Sequence, residues 1–259
     1  MTRLLKTFAF CIFTLAALGA NSATAQNVVE QSAEYRYQLD FHVPDAALAK
    51  FLPAGWEPNI SQQGNAKDAN LGLIFIDRLS VLDGEGNAVG AGAAQMVYLA
   101  IPVKESAGEL VGQMIISGLT SDAQAAPGPF GTYDHAVVAN MDRAATSMQG
   151  TTIIEENWAF TAASGEHFGM HIKYERGETR RGGRAQSFFD PNDPAKYFIF
   201  SPNQIIDIGR NVTTTPPDRV MEFFYRARGG RVAELFDGTE RVLSWDSFPW
   251  YNLEILSPE

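Results

Sequence analysis

The chain has one cysteine in 259 residues, Cys11, and it lies inside an N-terminal apolar run. If that run is removed, no disulfide and no thiolate nucleophile remain, and the domain must stand on its hydrophobic core. Histidine is scarce too, at four. His167 and His171 are four apart among residues that read as strand, which would set them about 13 Å apart. That is too far to share one ion, so no metal site is expected. Cations are outnumbered, 20 Lys and Arg against 30 Asp and Glu, for a formal charge of −10. A field of that sign repels nucleic acid. No G-x-S-x-G elbow, P-loop or dinucleotide fingerprint occurs, and no cofactor is expected.

The first 25 residues have their own pattern. Arg3 and Lys6 precede an apolar run from Phe8 to Ala20, and Ala23-Thr24-Ala25 stands before Gln26. Charged, then apolar, then A-x-A is the order of a cleaved secretory signal. The run is short of the roughly 20 residues that span a bilayer. The expected mature chain is residues 26–259, a single domain in the periplasm or secreted, with no membrane span. Losing Arg3 and Lys6 takes its formal charge from −10 to −12.

Past a polar leader at 26–33, period-two patterning dominates. In residues 34–42, Tyr35, Tyr37, Leu39 and Phe41 share one face, and Arg36, Gln38, Asp40 and His42 share the other. That alternation predicts a half-buried strand. Pro44-Asp45 opens a short helix over 46–51, since proline suits a first helical turn and an acid suits its positive end. Further strands are predicted at 71–82, 88–103, 110–119, 132–141, 151–163, 167–176, 185–189, 197–201, 204–213 and 250–256. Residues 83–87 (DGEGN) read as a hairpin turn. Residues 220–227 fit strand or helix, and 231–236 fit a helical turn or two. Many short strands with few helices point to a mainly β fold, a large antiparallel barrel or sheet with a few short helices.

Two stretches could carry chemistry. Pro129-Phe130-Gly131-Thr132-Tyr133-Asp134-His135 brings titratable groups to a strand entrance after a long loop, and His135 could move protons near neutral pH. Lys173, Arg176, Arg180, Arg181 and Arg184 form a basic island that reads as an anion clamp or as a solvated hairpin loop. Asn211-Val212-Thr213 fits a glycosylation tripeptide in form only.

The run from His42 to Pro58, HVPDAALAKFLPAGWEP, resembles the early signature of acetoacetate decarboxylase-like proteins, a strand leading into a short helix that ends in Leu-Pro-x-Gly. The acidic hairpin with Glu85, the Met96-Val97-Tyr98-Leu99 strand, the loop into Gly131 and Gly230-Arg231-Val232-Ala233-Glu234-Leu235-Phe236 follow in matching order. The resemblance implies a cone-like antiparallel barrel with a central cavity, in a homo-oligomer. It also implies a Schiff-base lysine, but the matching stretch reads Tyr133-Asp134-His135, and imidazole cannot form that imine. What carries over is a cavity for a small oxo or carboxylate compound, worked on by lyase, hydratase or hydrolase chemistry. Expected roles are His135 as acid or base, Tyr133 as hydrogen-bond donor, Glu85 as second proton carrier and Arg36 as carboxylate clamp. The alternative is a periplasmic binding protein for a small apolar or aromatic metabolite.

Overall fold

The computed structural model describes residues 27–64, 66–126, 133–211 and 219–258. The segment expected to be a signal peptide, residues 1–25 with Cys11, residues 127–132 of the long loop and the end of the 211–213 tripeptide lie outside them.

The strands are β1 (Val28–His42), β2 (Trp56–Pro58), β3 (Leu71–Asp83), β4 (Ala94–Glu105), β5 (Val111–Thr120), β6 (Tyr133–Met148), β7 (Thr151–Ala162), β8 (His167–Glu175), β9 (Arg180–Gly182), β10 (Gln186–Phe189), β11 (Tyr197–Asn211), β12 (Val220–Arg228) and β13 (Arg241–Leu256). The α-helix is short, Asp45–Leu48, and runs into a 3-10 turn over Ala49–Phe51. Among the described residues no helix is long and apolar enough to cross a membrane.

Seven strands close a ring in the order β4-β5-β10-β11-β13-β1-β3 and back to β4. The remaining long strands, β6-β7-β8-β12, continue from β5 and fold back over the outside of the ring. Tyr35 of β1 stacks on Trp158 of β7, Phe41 meets Tyr225 of β12 edge-on, and Phe223 meets Trp245 of β13. The larger core therefore lies between the ring's outer face and this second layer. A smaller core, with Ile74, Tyr98, Phe188, Phe200, Phe248 and Tyr251, fills part of the ring's interior.

This arrangement inverts the reading of β1. Its apolar residues, Tyr35, Tyr37, Leu39 and Phe41, point outward into the two-layer core. Its polar face is not solvated: Glu34, Arg36 and Asp40 are buried, and Arg36, Gln38 and Asp40 line the interior. A strand in a closed ring has two inside surfaces when a second sheet covers its outer one.

Several boundaries differ from expectation. β1 begins at Val28, because Glu30 and Ser32 of the supposed leader extend the buried polar face. The 88–93 stretch, with Gly90 and Gly92 at positive φ, turns the chain, and β4 starts only at Ala94. Residues 197–211 form one strand, and the last strand starts at Arg241 rather than 250. Residues 220–228 are strand, and Gly230–Glu234 is a 3-10 turn. The sheet is mixed: β5 pairs in parallel with both β6 and β10.

Candidate functional site

The ring encloses a cavity of about 340 Å³. Asn59, Arg184 and Gln186 are exposed lining residues and mark its solvent end. Arg36, Tyr98 and Tyr251 are buried and mark its deep end. The walls differ in kind. β1 contributes Arg36, Gln38 and Asp40, whereas Ile74, Phe188, Phe200, Ile206 and Phe248 supply apolar surface from other strands.

Arg36 is the buried cation of this cavity. Its Nε donates to Glu34 Oε2, its Nη1 donates to Tyr98 Oη at 3.3 Å, and its guanidinium carbon lies 3.7 Å from the centre of the Tyr251 ring. Its Nη2 is buried without a hydrogen-bond partner. A charged donor left unmade in the interior costs roughly 1–3 kcal/mol or more, so a ligand acceptor that met it would bind well. Glu34 is shared. Its Oε1 accepts from Arg78 Nε at 3.1 Å and from Ser32 Oγ at 2.6 Å. Arg78, itself fully buried, also pairs with Glu30 and donates to the Ala125 carbonyl.

Burial pushes the Glu34 carboxyl up, but Arg36 and Arg78 outweigh it and hold it below the usual range. Burial likewise opposes the Arg36 charge, and Glu34 overcomes it, so the guanidinium is held cationic. For Glu30, burial wins over Arg78 and its carboxyl is raised. Tyr98, Tyr133 and Tyr251 are all pushed up by burial, which keeps them as neutral hydroxyl donors.

Of the four residues expected from sequence, one lines the cavity and one packs behind its wall. Arg36 lines the deep end, and Tyr133 packs edge-on against Tyr98, with ring centres 6.4 Å apart. Tyr133 Oη is buried without a hydrogen-bond partner. The other two stand apart. His135 is exposed on β6, because the strand continues into the second layer and turns this position to solvent. Glu85 is exposed in the hairpin after β3, which lies past the deep end of the ring: Asp83, where β3 ends, pairs with Glu30, well beyond Arg36 on β1. Neither lines the cavity. Arg184, from the basic island, does line it, while Arg181 donates to Asn203. His167 and His171 lie on β8 and hydrogen-bond separately, to Thr161 and Asn157.

Sequence reasoning missed Gln38, Asp40, Tyr98, Tyr251 and the Glu34–Arg78 pair. One signal was present: the polar face of the first strand carries both signs of charge at i, i+2 spacing, which is an interior pattern once the strand belongs to a ring. Two further depressions hold no comparable buried charge pair. One, of about 530 Å³, lies outside the ring by Lys50, Ser117, Asp134, Glu166 and Arg231. The other is a shallow groove on the outer face of β7 and β8.

No protein-family model and no curated protein sequence matches the chain. Solved structures do. An acetoacetate decarboxylase-like enzyme from Sphingomonas wittichii RW1 superimposes with a TM-score of 0.56 at 11% identity, over 90% of this chain and 92% of that one. The enduracididine biosynthesis enzyme MppR in complex with pyruvate gives 0.54 at 11% identity, over 91% of both chains. MppR holding the condensation product of pyruvate and imidazole 4-carboxaldehyde gives 0.52 at 10% identity, over 91% and 90%. At such identities the likeness is one of fold, and it extends along nearly the whole chain: the protein has the fold of the acetoacetate decarboxylase-like enzymes.

Proposed function

We propose that this chain is an exported enzyme of the acetoacetate decarboxylase superfamily that acts on a small oxo or carboxylate compound without an imine-forming lysine. The observation that carries the reading is Arg36, a buried cation at the floor of the cavity, with Nη2 unpaired. A guanidinium edge with a free N–H matches a carboxylate, and a low-dielectric site strengthens that contact. The neutral hydroxyls of Tyr98 and Tyr251 lie beside it to orient a neighbouring carbonyl. MppR, of the same fold, is known with pyruvate bound.

Among the described residues no lysine lines the cavity. Lys104 is half-exposed and pairs with Glu57 at 2.9 Å, Lys50 pairs with Glu234, and Lys173 pairs with Glu222 at 3.3 Å. A Schiff base needs an amine kept neutral by burial or by a neighbouring cation, and none of these ammonium groups is so placed. The reaction type is then lyase, hydratase or hydrolase chemistry by proton transfer. A pure binding role is favoured by the apolar wall of Phe188, Phe200 and Phe248, which suits an aromatic metabolite.

Calorimetric titration with pyruvate and acetoacetate tests the reading. Binding that Arg36→Gln weakens at least tenfold, with no borohydride-trapped adduct on any lysine, supports it. A trapped lysine adduct, or binding indifferent to Arg36, overturns it. Turnover of any oxo acid excludes the purely binding role. For export, the protein recovered from the periplasm or medium of an expressing host should begin at Gln26 by mass spectrometry. A full-length chain retained in the cytoplasm would sink that part.

A further inference from the structure

The outer layer ends in an open edge. β12 is the last strand of the order β6-β7-β8-β12, and among the described residues it pairs with β8 alone. Alternate backbone N–H and C=O groups along it therefore point away from β8 with no strand beside them. Its nine residues span about 30 Å. Proteins that keep such an edge to themselves blunt it with proline, inward-pointing charge, a very short strand or a cover. Among the described residues none of these blunts β12, whose sequence VMEFFYRAR has no proline. Its one register shift lies between Val220 and Glu222, and from Glu222 to Arg228 the pairing is regular.

The two faces of this strand differ. Phe223 and Tyr225 face the core: their ring centres are 5.8 Å apart, Phe223 meets Trp245 and Tyr225 meets Phe41. Both are only half-buried. Glu222, Phe224 and Arg226 face the other way, opposite Lys173, His171 and Gly169 of β8. Phe224 and Arg226 border the shallow groove on the outer face. Phe224 is 55% exposed, a large apolar side chain left in water at a strand edge. Arg226 is exposed and its guanidinium lies 5.5 Å from the centre of the Phe224 ring. Glu222 pairs with Lys173 at 3.3 Å and with His171 at 3.5 Å, yet its side chain stays more than half exposed.

This stretch is self-complementary. About Phe224 it reads Glu-Phe-Phe-Tyr-Arg, with an aromatic one step to either side and, at two steps, an acid on one side and a base on the other. When two copies of a strand pair antiparallel about a two-fold axis at one residue, the residue two before it faces the residue two after it in the other copy, and symmetry makes the contact twice.

We propose that β12 is a homodimer interface, where two copies of this chain pair edge to edge, antiparallel, about a two-fold axis at Phe224. Glu222 then faces the partner's Arg226, and Arg226 faces the partner's Glu222. Phe224 meets the partner's Phe224 on the outer face. Phe223 meets the partner's Tyr225 on the inner face, so the row of half-buried rings continues across the axis. Opposite charges and aromatic pairs directly across antiparallel strands are favourable. The two outer layers become one continuous sheet, four long strands from each copy. No residue of β12 lines the ring cavity, so the interface is separate from the ligand site.

Charge reversal tests the pairing. In sedimentation velocity the purified protein should be a dimer that dissociates on dilution. Glu222→Arg sets arginine against the partner's arginine at both symmetric contacts, and Arg226→Glu sets glutamate against glutamate. Each variant alone should therefore weaken the dimer about tenfold or more. Mixed in equal amounts, the two variants should dimerise with each other, because each supplies the sign the other lacks. Circular dichroism of each variant alone checks its fold, and a misfolded chain would not be rescued by mixing. In hydrogen exchange, β12 amides of the unaltered protein should gain protection as concentration rises. A monomer at every concentration overturns the proposal, as does a dimer indifferent to both reversals or a mixture that stays monomeric. Protection that rises with concentration on another edge and not on β12 overturns it too.

Discussion

Replacing Arg36 by Gln should destabilise the fold by about 4 kcal/mol, within the range for breaking a buried ion pair from one side. The structure places the figure. Glu34 is fully buried and loses one of its two cations, but it keeps Arg78 at 3.1 Å and Ser32 at 2.6 Å, which argues against the top of the range. Losing the guanidinium from the Tyr251 face and the donor to Tyr98 argues against the bottom. With a urea slope of about 3 kcal/mol per molar for a chain of this size, the unfolding midpoint at pH 7 falls by about 1.3 M. The double variant Arg36→Gln with Glu34→Gln should recover part of the loss, because much of the single cost is the carboxylate left behind. A second arm uses pH. The Glu34 carboxyl is held below its unfolded value, so its contribution is present above that value and fades as pH falls through the folded one. Removing Arg36 lifts the folded value, and the gap between variant and wild type should narrow in acid. A single-variant loss under about 0.5 kcal/mol, or a double loss equal to the sum of two singles, would refute the reasoning.

Other expectations can be checked with the same protein. Glu156 is fully buried between the layers, accepts from Tyr35, from Trp158 Nε1 at 3.0 Å and from Tyr174 at 3.4 Å, and is raised by burial. A raised acid loses stability as pH climbs above its unfolded value, so Glu156→Gln should raise the melting temperature more at pH 8 than at pH 5; an equal shift at both would count against it. Trp158 touches Tyr35, Phe75 and Phe160 at the centre of the outer core, and Trp158→Ala should cost about 3–5 kcal/mol by urea unfolding. Gly112 sits where β5 meets β10, and a Cβ there would strike the Ser187 carbonyl. Gly112→Ala should cost about 1–3 kcal/mol and speed amide exchange along β10, whereas an unchanged exchange map would mean the ring does not depend on that contact. Oxo acids with longer apolar tails should bind better than pyruvate, by about 0.8 kcal/mol for each buried CH₂; affinity that is flat or falls along the series would mean the aromatic wall is not part of the site.

The mainly β fold was legible because it is written locally. Alternation at Tyr35, Tyr37, Leu39 and Phe41 and turn residues such as Asp83-Gly84 mark strands and reversals without knowledge of partners. What could not be read is which face meets which neighbour. Period two says that Arg36, Gln38 and Asp40 share a side; it does not say whether that side is water or the inside of a ring. The same limit explains β12, whose residues are mostly exposed on one face and whose pairing with β8 is a tertiary fact. Candidate residues divided on the same line. Strand geometry put Arg36 on one face with Gln38 and Asp40, and only a family pattern suggested a role for it. His135 was singled out for its chemistry alone, and a side chain on a strand edge follows the pleat whatever its chemistry.

The distribution of polarity in the ring bears on function more than any single residue. A barrel selected for stability alone fills its interior with apolar side chains, because buried charge is repaid only in part even when paired. Here one wall, β1, is polar at Glu30, Ser32, Glu34, Arg36, Gln38 and Asp40 in succession, while its other face supplies core aromatics. Each of these polar groups is held by another: Glu30 by Arg78, Ser32 by Glu34, Glu34 by two arginines, Asp40 by Ser244 and Gln38. Tyr37 Oη is left over in the outer core; inside the ring the atoms left over are Arg36 Nη2, Tyr133 Oη and Asp246 Oδ1. Two are donors near the deep end and one is an acceptor on the wall. A network satisfied everywhere but at these atoms is what a site needs, since rigidity comes from the satisfied members and reactivity from the rest. The charges therefore do little for stability that apolar packing could not do better, and the proposed ligand with an anionic end would account for their arrangement.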